Sequence, residues 1–144
     1  MAPRTYTVEE ANSALPEVGL LVQRIMSLSL EIPELQERAR VAEMKHRRAI
    51  ASSEPAVDPG GDSKEDLARA SAALRAAEMS LMVALRSLEE RDVQLKDASI
   101  GLVDFYGYVG DELVELCWRV GEESVTNWHR VGEGYAGRKP LDRQ

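Results

Sequence analysis

The sequence predicts an α+β protein: a long antiparallel helical hairpin forming a coiled coil, a short N-terminal helix, and a small C-terminal antiparallel β-sheet. Three observations carry this. Leucine recurs every seventh residue at Leu67, Leu74, Leu81, Leu88 and Leu95, with Ala70, Ala77 and Ala84 between, the 3-4 alternation of a helical seam. A partner seam lies upstream in the same spacing, at Leu21, Ile25, Leu28, Ile32, Leu35, Ala39 and Ala42. From Ser99 onward the apolar period changes to two, the signature of strands.

Each element follows in order. Thr7 and Glu10 have the spacing of a capping box and open a short helix. Pro16 disfavours helical geometry at Leu15 and so ends it, then fits the first turn of the next helix. That helix is expected over about 17–51, with Pro33 kinking or breaking it near Ile32. Residues 52–63 hold two prolines and two glycines, which makes them the hairpin tip. Ser63 is the expected N-cap of the second long helix, which should run to about Asp97. Residues 1–98 thus form the helical hairpin region and 99–144 a small β region packed on the hairpin base. In the latter, IGLVDF, ELVELCWRV and SVTNWHRV read as three strands, with Gly110-Asp111 turning between the first two and GEGYAGRKPLDRQ as a loop.

Composition narrows the function classes. A net charge of −7 disfavours direct nucleic-acid binding, which relies on Lys and Arg. No stretch approaches the ~20 apolar residues of a membrane span, and MAPRTYTVEEAN has no apolar leader core. The single cysteine, Cys117, excludes an internal disulfide and suits a reducing compartment. A cytoplasmic protein is expected.

Strand alternation gives the sharpest site inference. With Val103, Phe105, Trp118 and Trp128 on the core side, the opposite face collects Asp104, Tyr106, Glu115, Cys117, Arg119, Asn127 and His129. Cys117, His129 and Asp104 have the components of an activated thiolate and are the candidate catalytic residues. Asp104, Cys117, Glu122 and His129 are candidate ligands for a divalent metal, although none has the close spacing of a zinc knuckle. Arg119 and Arg138, with Trp128, are candidates for holding a phosphate or carboxylate. Near the tip, His46 continues the upstream seam, Lys45, Arg47 and Arg48 form a basic run, and Glu54, Asp58, Asp62, Glu65 and Asp66 an acidic one.

YTVEEANSALPEV, GLVDF, ELCWRVGEE, WHRV and GYAGRKPL resemble an uncharacterised prokaryotic family, catalogued as domain of unknown function 2203. The resemblance covers both ends of the chain and implies a small, soluble, cytosolic protein. It implies no activity and transfers no site.

The leading expectation is a non-enzymatic interaction or scaffold module with a polar binding site on the sheet. Val22, Met26, Leu30, Met82 and Leu85 lie beside the seam, and from them a homodimer is expected, with a protein partner as a further possibility. The alternative is a small metal-dependent or Cys-His enzyme using the Asp104/Cys117/His129 face. A third reading, an RNA-polymerase-binding hairpin factor with an acidic tip, rests on architectural analogy alone.

Overall fold

The computed structural model describes residues 2–52 and 61–141. It contains two long helices, α1 (Val8–Ala51) and α2 (Gly61–Glu90). Five strands follow: β1 (Val93–Asp97), β2 (Leu102–Val109), β3 (Glu112–Arg119), β4 (Asn127–Arg130) and β5 (Lys139–Pro140). A single 3-10 turn, Tyr135–Gly137, precedes β5. The strands form one open antiparallel meander in the order β1-β2-β3-β4-β5. The chain divides into two compact units, residues 1–26 with 83–144, and residues 27–82.

The expected short N-terminal helix does not exist as a separate element. Thr7 and Glu10 do form the capping box: the Thr7 N–H donates to Glu10 Oε1 at 2.9 Å and the Glu10 N–H to Thr7 Oγ1 at 3.0 Å. The helix they open then runs through Pro16 and Pro33 without a break. Ala11, Val18, Val22 and Ile25 are buried along one stripe that spans Pro16. An interior proline costs ~3 kcal/mol, and burying a side chain such as Val or Ile returns ~1.5–3 kcal/mol, so the stripe outweighs the break. Pro33 is exposed, as is Ser29, whose carbonyl it leaves free for water.

The coiled coil is also corrected. In the unit 27–82, Leu28, Leu35 and Ala77 form one buried cluster, with Ile32, Leu74 and Leu81 partly buried around it. Ala39, Ala42 and Leu67 stay half-exposed, so no continuous seam extends along the pair. The leucine series itself leaves the helix before its last member. α2 stops at Glu90, where Asp92 takes a left-handed φ of 55°. The stop is held by Arg91, whose guanidinium donates to Ser87 O and Oγ, and by the Tyr6 hydroxyl, which donates to Arg91 O. Leu95 then lies in β1 opposite Val103. Its seven-residue spacing from Leu88 coincides with a strand alternation that the helix to Asp97 had concealed. β1 therefore lies on the helical side of the 98/99 boundary.

At the tip, α2 begins at Gly61, so Ser63 is inside the helix. Its hydroxyl meets His46 Nδ1 at 2.9 Å. Of the acidic residues assigned to the tip, Glu54 and Asp58 lie outside the described residues, and Asp66 pairs with Arg69.

The other unit has its core between the sheet and the helix ends. Tyr6, Val18, Val22 and Ile25 are buried there, as are Ala84 and Leu88 of α2, and Phe105, Leu116 and Trp118 of the sheet. Val22 is thus satisfied within the chain, and Met26 Sδ lies against Gly101. Gly110 and Asp111 form a two-residue hairpin loop, with Gly110 at φ 60° as a primed turn requires. Gly107 is fixed by sterics. A Cβ there would lie 2.7 Å from the Tyr6 carbonyl oxygen, because the N-terminal segment crosses at that point with Tyr6 N–H donating to Tyr106 O. Among the described residues no helix is long and apolar enough to cross a membrane.

Candidate metal centre

Strand register assembles the site. In the β2–β3 hairpin Asp104 pairs with Cys117, and across β3–β4 Glu115 pairs with His129. Cross-strand partners share a face, and alternation keeps Glu115 and Cys117 together. Asp104, Glu115, Cys117 and His129 therefore stand on one side of the sheet, opposite Phe105, Leu116 and Trp128. No bulge interrupts β4, so His129 falls where alternation puts it. All four are buried, with Asp104, Cys117 and His129 fully so.

Three of them converge. One ligand atom each from Asp104, Cys117 and His129 lies within 4.8 Å of the others. This triad is consistent with a divalent-metal site. His129 Nε2 is 2.9 Å from Asp104 Oδ2, and His129 Nδ1 is 2.9 Å from the Arg130 carbonyl oxygen. A carbonyl only accepts, so Nδ1 carries a proton and donates it there. In the neutral ring the lone pair is then on Nε2, aimed at Asp104. This is the arrangement that a metal-binding histidine requires, with its second nitrogen fixed by a backbone acceptor.

Several polar atoms of the cluster are unsatisfied. Asp104 Oδ1, Glu115 Oε2 and Gln94 Nε2 are buried without a hydrogen-bond partner among the described residues. Glu115 Oε2 does lie 3.4 Å from Lys96 Nζ, close enough for charge attraction, though the two form no hydrogen bond. Burial, with the Glu115 carboxyl facing it, pushes Asp104 up to about 7 against the pull of His129. Burial and the neighbouring Asp104 push the Cys117 thiol up to about 12. Without a metal Cys117 is therefore a protonated thiol and a poor nucleophile. A cation held by these residues would reverse this, because a coordinating thiol is deprotonated outright.

A cavity of about 170 Å³ adjoins the cluster, lined by Lys96, Leu102, Asp104, Glu115, His129 and Tyr135, with Gly132 and Gly134 beside them. Lys96 and Glu115 are the charged cavity residues that fall outside the candidate sets. Glu115 was on the correct face but without a role. Lys96 was assigned to a helix, and only the alternation of Val93 and Leu95 could have revealed it.

Of the other candidates, Glu122 and Arg138 come near enough to Cys117 to act on its charge, but they do so as an ion pair with each other. Glu122 accepts from the Arg119 backbone N–H at 2.8 Å and from the Arg138 guanidinium, which removes it from the metal set. Arg138 lies over the Tyr135 ring. Trp128 is on the opposite face, with Arg130 and Lys139 beside its ring. Arg119, Arg138 and Trp128 thus do not form one anion pocket.

No curated protein and no solved structure matches the chain. Residues 4–141 match the model of a family described as an uncharacterized conserved protein, DUF2203, and the chain belongs to that family.

Proposed function

We propose that this protein binds a divalent transition metal through Asp104, Cys117 and His129, and that the metal serves catalysis at a position open to the adjoining cavity. The observation that carries this reading is the convergence of one ligand atom from each of three neighbouring strands within 4.8 Å in a buried place. Thiolate, imidazole and carboxylate together suit zinc or a similar d-block ion. Three protein ligands with space beside them match a catalytic site better than a closed structural one. The family description assigns no activity, so the reading rests on geometry. A cytoplasmic location belongs to it, since the chain's one cysteine is free and a reducing compartment keeps it available. Elemental analysis of protein purified without added metal tests the proposal, with zinc titration of the metal-free protein beside it. One tightly bound equivalent that Cys117→Ala and His129→Ala both lose is the expected result; no binding in the wild type ends the proposal.

Self-association is the second reading. It is favoured by Leu30, Met79 and Met82, large apolar side chains more than half exposed on the helices of the unit 27–82. Light scattering at micromolar concentration decides it, since a monomeric mass leaves these residues unpartnered.

A further inference from the structure

We propose that Glu115 is the proton acceptor for a water at the open side of this metal site, and that the cavity admits a small uncharged carbonyl compound for hydrolysis. The inference rests on the metal reading and adds the reaction and the substrate class.

Glu115 is 3% exposed, and its Oε2 has no hydrogen-bond partner among the described residues. A buried carboxylate oxygen without a hydrogen bond is unfavourable unless it serves a ligand, and the strand positions show what it faces. It shares the face with the three ligands and pairs across β3–β4 with His129, yet is not one of the converging group. It lines the cavity together with Asp104 and His129. A ligand entering from the cavity therefore meets Glu115, Asp104 and His129 together. Lys96 Nζ lies 3.4 Å from Oε2 at the cavity wall and forms an ion pair with it.

Charge and size select the substrate. With a divalent ion, the Cys117 thiolate, the Asp104 and Glu115 carboxylates and the Lys96 ammonium sum to zero beside a neutral His129, and the Arg138–Glu122 ion pair near Cys117 adds no net charge. A neutral ligand leaves that balance intact, whereas a phosphate dianion would bury excess negative charge. A cavity of about 170 Å³ holds roughly five waters, so the reacting group is compact. Leu102 and Tyr135 give it an apolar wall.

In the reaction, water gives a proton to Glu115 as its oxygen bonds to the carbonyl carbon, and the C=O electron pair moves onto the carbonyl oxygen. The tetrahedral species collapses by breaking the bond to the leaving group, which takes the proton back from Glu115. Water is the only co-reactant.

The test uses zinc-loaded full-length protein with 4-nitrophenyl acetate as the uncharged probe and 4-nitrophenyl phosphate as the charged one. Wild type should hydrolyse the acetate above a zinc blank and prefer it to the phosphate. Glu115→Gln should keep one equivalent of zinc. In its cobalt form it should keep the thiolate-to-metal absorption, while kcat falls at least about 100-fold and KM moves less than about threefold. Should that variant not fold, Glu115→Asp must bind metal and lose at least about tenfold in kcat. Loss of the metal in Glu115→Gln would make Glu115 a ligand and overturn the proposal, as would an unchanged rate or a preference for the phosphate. Wild type that binds zinc without hydrolysing the acetate overturns this proposal alone. Wild type that binds no metal overturns the metal reading with it.

Discussion

His129 Nε2 stands 2.9 Å from Asp104 Oδ2, while the opposite ring nitrogen is committed to the Arg130 carbonyl. The pair is therefore one proton or one cation short of satisfied when His129 is neutral. Asp104→Asn should act in opposite directions in the two forms of the protein. In the metal-free form it relieves a buried carboxyl facing Glu115 and should raise stability by about 1 kcal/mol. With zinc it removes a ligand and should weaken binding at least about 100-fold. Paired thermal melts with and without metal measure both, and a uniform loss in the two forms would contradict the site.

Metal should stabilise the fold by mass action. At a hundredfold excess over the dissociation constant the gain is about 2.7 kcal/mol, read as a rise in Tm that a chelator reverses. Cys117→Ser should keep the fold and lose most of that rise, since oxygen is a poorer donor than thiolate to a soft ion.

Gly107→Ala should destabilise the protein by about 1–3 kcal/mol. Its Cβ would meet the Tyr6 carbonyl oxygen at 2.7 Å and Leu116 Cδ1 at 2.9 Å, and neither backbone nor core yields cheaply. Urea denaturation gives the value, and a neutral substitution would mean that the N-terminal segment is not held over β2.

Leu28→Ala removes one of three buried members of the cluster in the unit 27–82 and should cost about 2–5 kcal/mol. Hydrogen exchange of α2 amides around Ala77 is the local readout. Unchanged protection there would show that the cluster does not bind the two helices.

The capping box predicts an acid-dependent term. Thr7, through its backbone N–H and its hydroxyl, holds the Glu10 carboxyl below the usual carboxylate range. A lowered carboxyl stabilises the fold above its unfolded pKa, and the gain is lost as pH falls through the folded value. Glu10→Gln should thus lower the urea midpoint at pH 7 and converge with wild type in acid. A constant gap across that range would mean that charge plays no part.

Much of this was legible in the sequence, and the failures have physical causes. Period-two alternation located Asp104, Cys117 and His129 on one face because the strands run without a bulge through those positions. The two-residue turn at Gly110 was legible for the same local reason. The end of α2 was not, since Leu95 satisfies a heptad and a strand equally, and only tertiary contacts from Tyr6 and Arg91 decide between them. The expected break at Pro16 fails because its local penalty is smaller than the gain from burying the stripe that crosses it. Glu122 was chosen for its chemistry, but sequence could not show that Arg138 already holds it.

The meander order of the sheet bears on how the site comes into being. Asp104, Cys117 and His129 lie on consecutive strands, each joined to the next by a short connection. Closing two small loops in succession is fast compared with assembling distant segments. The ligand constellation is thus built from contacts between sequence neighbours, and a chain refolding from the denatured state can present it before the long helices have found their register. An ion captured at that stage would act as a template for the sheet, so refolding should accelerate in the presence of zinc.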